Sequence, residues 1–230
     1  MNIFKENIKY IFGLIILLIV LGVGFGIWKA QERQKLAQTG VIHEKTVNLS
    51  VEERQRIEAQ MKGYSEQIKG LSGDTLTKER NKVYILLAGT QYKLGQYSDA
   101  LKSLDIAAPD NQDSTRLWSY YTFTYRDMGD ISKAYESAKK LVDLDQENPQ
   151  NWQTYIDIAV TAKKSNDEIK ELFLNAVKKT DADTDLVISF AKFLEAIGDK
   201  PGAISMWVKA GESNSQEKTN YDAEIARLQK

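Results

Sequence analysis

Apolar residues enter this chain as one solid block and continue as stripes. The block is residues 11–28, IFGLIILLIVLGVGFGIW, eighteen positions without a charge, thirteen of them Ile, Leu, Val or Phe. As a helix it spans about 27 Å at ~1.5 Å per residue, close to a hydrocarbon core of about 30 Å. Its aliphatic and Phe side chains favour insertion by about 4 to 8 kcal/mol in sum. Tyr10 and Trp28 stand where the two interfaces would be. A helix apolar all round needs lipid or protein on every side. The run leads into Trp28-Lys29-Ala30-Gln31, a poor signal-peptide cleavage site. The pattern predicts a short tail over 1–10, a single transmembrane helix over 11–28 in contact with the lipid bilayer, and a polar linker over 29–49. Lys5 and Lys9 ahead of an uncleaved run resemble a signal anchor, which puts the chain at the cell membrane with its soluble domain outside the cytoplasm. The basic residues of the other flank, Lys29, Arg33, Lys35 and Lys45, count the opposite way, but long domains translocate largely regardless of charge. Gly22 and Gly26 form a G-x-x-x-G, a spacing that allows a weak homodimer between membrane helices, although glycine is common in such helices anyway.

Beyond the linker the period changes to that of amphipathic helices. Ser50-Val51-Glu52-Glu53 has the spacing of a capping box. Ile57, Met61, Tyr64, Ile68 and Leu71 then follow at alternating steps of four and three, one continuous stripe. Gly70, Ser72 and Gly73 end it, which predicts a packing helix within 50–73. From there the chain repeats itself. Tyr84, Trp118 and Trp152 are each 34 residues apart, as are Gly95 and Gly129, and Ala100 and Ala134. Gly198 and Ala203 lie 69 residues beyond Gly129 and Ala134, two periods plus one inserted residue. Each unit reads as an amphipathic helix, a glycine turn and a second amphipathic helix. A hairpin of this size cannot bury its apolar face alone, so units must stack. No strand-like alternation interrupts them, and the fold class is all-α.

This pattern resembles the tetratricopeptide repeat (TPR) family: an aromatic residue early in helix A (Tyr84, Trp118, Trp152), a glycine turn, and a small residue opening helix B (Ala100, Ala134, Ala203). The resemblance implies a TPR-like α-solenoid over 81–217, with repeats at 81–114, 115–148, 149–183 and 184–217. Tyr221, Ile225 and Leu228 continue the phase into a C-terminal capping helix over 217–230. Repeat three departs from the pattern. It has Lys163-Lys164-Ser165-Asn166-Asp167 for the turn glycine and Ile169 for the alanine, which predicts a looser turn and a local change of curvature. Repeat four carries Val187 at the aromatic position.

Composition excludes more than it proposes. A net charge of −1 gives no basic excess, so no nucleic-acid partner is expected. With no cysteine and His43 as the lone histidine, no thiolate nucleophile or histidine–cysteine metal site can be assembled. Asp181-Ala182-Asp183-Thr184-Asp185 begins like a calcium loop, but Leu186 and Lys192 stand where glycine and glutamate are required. Those aspartates read instead as caps for the helix that follows. No catalytic, cofactor or metal residues are singled out, and the chain does not read as an enzyme.

In the TPR family the concave face is built mainly from helix A. Matching by phase puts Lys82, Ile85, Gly89, Tyr92 and Lys93 there in repeat one, and Arg116, Ser119, Phe123, Arg126 and Asp127 in repeat two. The lysine, asparagine and arginine clamp that the family's chaperone-binding branch uses for a terminal carboxylate is not matched, since the corresponding positions hold Gly89, Phe123, Asp157 and Lys192, with no asparagine. Aromatic and arginine side chains are typical anchors of interfaces. The expected peptide-binding groove is therefore Tyr92, Arg116, Phe123 and Arg126. The function this implies is a membrane-anchored scaffold that binds peptide segments or partner proteins, in assembly or secretion at the membrane. The alternative is a structural accessory subunit of a larger membrane complex.

Overall fold

The computed structural model describes residues 47–71, 73 and 76–230. The tail over 1–10, the apolar run over 11–28 with Gly22 and Gly26, and the linker up to residue 46 lie outside the described residues. Among the described residues no helix is long and apolar enough to cross a membrane. They form ten α-helices: α1 Val51–Gly70, α2 Thr77–Lys93, α3 Tyr97–Ala107, α4 Thr115–Met128, α5 Ile131–Leu144, α6 Pro149–Thr161, α7 Asn166–Lys179, α8 Thr184–Ala196, α9 Lys200–Ser213 and α10 Lys218–Leu228. Each packs against its neighbours in the chain, and α2 also meets α4. The architecture is an all-α solenoid of hairpins α2–α3, α4–α5, α6–α7 and α8–α9, flanked by α1 and α10.

Local chemistry starts these helices. The capping box of α1 is formed: the Glu53 N–H donates to Ser50 Oγ at 3.1 Å, and the Ser50 N–H to Glu53 Oε2 at 3.0 Å. Ser114 caps α4, Asn148 caps α6 ahead of Pro149, and Asp183 caps α8 by accepting from the Leu186 N–H at 3.1 Å. Along α1, Ile57 is buried and Met61, Tyr64 and Ile68 are half-buried, so the apolar stripe faces α2.

The hairpin turns depend on left-handed backbone. Gly95, Gly129 and Gly198 have φ of 79°, 83° and 83°. Each turn closes with two bonds, for example Gly129 N–H to the Arg126 carbonyl at 3.0 Å and Asp130 N–H to the Tyr125 carbonyl at 2.9 Å. Hairpin three closes in the same way without glycine. Lys163 takes φ 55°, its N–H donates to the Val160 carbonyl at 3.0 Å, and the Lys164 N–H to the Ala159 carbonyl at 3.1 Å. The looser turn expected there is not found, because the two backbone bonds set the turn and lysine tolerates the left-handed region at a cost.

What changes in hairpin three is how closely its helices pack. Ala100, Ala134 and Ala203 are wholly buried where helix B crosses helix A, and their hairpins pack closely. Ile169 is buried at the equivalent place, and α6 and α7 pack less closely than the other pairs. A branched side chain in place of a methyl holds two helices apart.

The core falls into two clusters. One joins Ile85, Ala88, Ala100, Leu104, Leu117 and Tyr121 in the first repeats; the larger runs from Ala134 to Leu228. At the repeat aromatic, the indole N–H of Trp118 donates to the Gln112 carbonyl and that of Trp152 to the Gln146 carbonyl, both at 2.8 Å. This aromatic thus fastens the loop six residues upstream as well as filling space. Helix α10 closes the stack: Tyr221 lies against Trp207, with ring centroids 5.9 Å apart, and Arg227 pairs with Glu195.

Candidate functional site

Helices α2 and α4 lie side by side because one residue between them has no side chain. A Cβ at Gly89 would stand 2.4 Å from the Tyr120 ring. Gly89 therefore does not open on the groove; Tyr120 covers it. Ile85, also expected on the inner face, is 4 % exposed and belongs to the core.

Next to Tyr120 the structure gathers three of the four expected groove residues. The Tyr92 hydroxyl donates to Asp127 Oδ2 at 2.8 Å, and Arg126 Nε donates to Asp127 Oδ1 at 2.8 Å. The Arg126 guanidinium lies over the Phe123 ring, 5.0 Å from its centroid. Tyr92 is 6.3 Å from Phe123, 6.5 Å from Tyr120 and 5.7 Å from Tyr97, ring centre to ring centre. Tyr92, Phe123 and Arg126 thus form one tilted aromatic patch with a cation on its rim, held by an acid at its centre. Burial, and then the bond to Asp127, push the Tyr92 phenol well above the usual tyrosine range. The hydrogen bond to Asp127 raises the Arg126 guanidinium further. At neutral pH the patch therefore has a protonated phenol and a charged arginine.

Arg116 is not part of this patch. It is exposed near the start of α4, ten residues before Arg126 and about 15 Å along the helix axis, beside Lys82 and Asp113.

A second concave surface was not anticipated. A groove of about 630 Å³ is lined by Trp118, Tyr121 and Tyr125 of α4, with Asp105 from α3 and Lys133, Lys139 and Lys140 from α5. Tyr121 and Tyr125 stack 5.7 Å apart at 8°, the Tyr121 hydroxyl donates to Asp105 at 2.7 Å, and Lys133 sits 5.1 Å over Tyr125. The signal was present in the sequence: residues 118, 121 and 125 are spaced three and four apart, one aromatic stripe on a helix. Among the described residues no group of three or more His, Cys, Asp or Glu is placed to hold a metal ion.

No family model matches the sequence, and no curated protein matches it. Solved structures do. The MamA protein aligns with a TM-score of 0.57 at 14% identity, covering 73% of this chain and 87% of that one. YrrB, described as a TPR protein with an unusual peptide-binding site, aligns at 0.53 and 15% identity, covering 73% and 91%. The C-terminal part of a TPR repeat-containing protein from Cytophaga hutchinsonii aligns at 0.52 and 18% identity, covering 70% and 64%. At such identities the likeness speaks to architecture alone, and the architecture is plain: this chain has the fold of tetratricopeptide-repeat solenoids.

Proposed function

We propose that the chain is a membrane-anchored interaction scaffold whose helix-A face in repeats one and two holds an extended or helical segment of a partner protein, in assembly or secretion at the membrane. The observation that carries this reading is the patch of Tyr92, Phe123 and Arg126. Its aromatic area is half-buried but not closed over, and its arginine lies on the rim. Such residues supply large contact area and charge-assisted hydrogen bonds to a partner. A solved protein of this fold, YrrB, has a peptide-binding site. The uncharged run over 11–28 suits a single-pass anchor, with the repeats outside the cytoplasm and Gly22 and Gly26 available for weak self-association. No enzymatic role is assigned.

Capture of partners by the full chain in nanodiscs, followed by titration, tests this. Phe123→Ala and Arg126→Ala should each weaken the captured partner by more than about 1 kcal/mol with helicity unchanged. Unchanged affinity would move the interface elsewhere. One stoichiometric complex, with no exchangeable partner, would favour the accessory-subunit reading. A reporter that works only in the cytoplasm, fused after Lys230, should be inactive.

A further inference from the structure

Beside the Tyr92 network lies a cavity of about 820 Å³ that the repeats alone do not enclose. Residues 47–49 and helix α1 form one side, through Arg56 and Ile57; Tyr92, Lys93, Tyr97 and Asp127 form the other. Its floor is apolar and well packed: Ile57 is 6% exposed and Tyr97 2%. Its charge is one-sided. Among the described residues the one acid in the lining, Asp127, already accepts from Tyr92 and pairs with Arg126, each at 2.8 Å. Arg56 is exposed and makes no ion pair within 4 Å among the described residues; it acts at longer range on Glu53, one turn back, whose carboxylate is held by the Ser50 N–H at 3.0 Å. Lys93 is exposed and makes no ion pair among the described residues.

A cavity with an apolar floor, two exposed cations on its walls and one acid already engaged is complementary to a ligand of opposite charge that also carries apolar side chains. The chain's own linker does not fit that description, because residues 29–46 carry four lysines and arginines against two glutamates. A bilayer surface fits it poorly, since a cleft between a helix and a repeat admits side chains rather than a plane. We infer that this cavity receives an acidic, aliphatic segment of the partner protein, with aliphatic side chains on Ile57, Tyr92 and Tyr97 and carboxylates on Arg56 and Lys93. This rests on the scaffold reading above and names the chemistry of its ligand.

The test uses the full chain in zwitterionic nanodiscs and a labelled peptide of alternating glutamate and leucine. The peptide is capped at both ends so that no terminal carboxylate contributes. Its affinity should fall at least about tenfold in the double variant R56Q/K93Q and should weaken steeply with added salt. Both residues are exposed, so the variant should fold. Equal binding of a lysine–leucine peptide, or unchanged affinity in R56Q/K93Q, would overturn the inference. So would displacement of the acidic peptide by phosphatidylserine vesicles, which would reassign the cations to the membrane surface. Loss of affinity in Phe123→Ala but not in R56Q/K93Q would sink the cavity and leave the helix-A face standing. If neither peptide binds, the cavity inference fails, while partner capture decides the scaffold reading separately.

Discussion

Hairpins two and three are built to one plan and executed with different residues. Both open on a tryptophan whose indole holds the carbonyl six residues upstream, Trp118 on Gln112 and Trp152 on Gln146. Both turn through one left-handed residue, Gly129 or Lys163. Then they diverge. Helix α5 starts behind Asp130 and presents Ala134 to α4; α7 starts behind Ser165, with a full capping box to Glu168, and presents Ile169 to α6. Helix α4 buries Thr122 and Thr124 where α6, one period on, buries Ile156 and Ile158. Hairpin two is therefore tightly packed with hydroxyls at two core positions, and hairpin three is more loosely packed with isoleucines there and Phe173 stacked on Phe190 of the next repeat at 4.9 Å. Backbone hydrogen bonds define the turn in both. The residue opening helix B defines the gap, and a wider gap is stable where larger apolar groups fill it.

The largest expected effect compares the two tryptophans. Trp152 is 7% exposed and belongs to the main core, whereas Trp118 is half-buried at the edge of the groove with Tyr121 and Tyr125. Trp152→Ala should cost about 3 to 5 kcal/mol, as for a buried aromatic, and Trp118→Ala distinctly less. Denaturant titration of both variants decides it; equal losses would mean that the half-exposed ring contributes as much as the buried one. Next comes the gap itself. Ala134→Ile places the side chain of hairpin three into the tight crossing of hairpin two and should cost about 1 to 3 kcal/mol through overpacking. A neutral result would show that the crossing distance is not set at this position.

Much of this was legible in the sequence, for physical reasons that differ by position. Gly95, Gly129 and Gly198 mark turns because only glycine takes φ near 80° freely, and Ala100, Ala134 and Ala203 mark crossings because only a small side chain fits there. Spacing alone therefore located them. Ser165 and Glu168 had capping-box spacing too, but the missing glycine beside them suggested a loosened turn. The candidate patch was harder. Periodicity tells which face of α4 a residue occupies; it does not tell how far along the groove it sits, so Arg116 was grouped with Arg126 although most of α4 separates them. Nor can a repeat phase show that Tyr120 closes over Gly89, since that contact joins two helices whose approach is set by their packing.

A smaller effect, of opposite sign, tests the turn. Lys163 holds φ 55° with a Cβ that glycine would not have. Non-glycine residues in this region are disfavoured by roughly 1 kcal/mol or more, offset in part by the greater freedom of glycine in the unfolded chain. Lys163→Gly should therefore stabilise the protein by about 0.5 to 1 kcal/mol, seen as a rise in thermal midpoint. A fall would mean that the lysine side chain, and not the two backbone bonds, holds hairpin three closed.

The smallest effect lies inside hairpin two and asks why it carries threonines where hairpin three carries isoleucines. Thr122 and Thr124 are both fully buried. The Thr122 hydroxyl donates to the Trp118 carbonyl at 2.7 Å, whereas Thr124 Oγ1 has no hydrogen-bond partner among the described residues. Burying an unpaired hydroxyl carries a desolvation penalty, while removing a paired one forfeits a bond with a net value of about 1 kcal/mol. Valine matches threonine in shape, so the exchange changes polarity with little change in volume. Thr124→Val should then be neutral or stabilising by up to about 1 kcal/mol, and Thr122→Val destabilising by about 0.5 to 1 kcal/mol. The pair is measured best as a difference, because both lie on the same helix and share the same helix-propensity change. If Thr124→Val proves the more destabilising of the two, its hydroxyl has a partner in solution, and hairpin two is more fully hydrogen-bonded than hairpin three instead of carrying an unpaired group that its neighbour avoids.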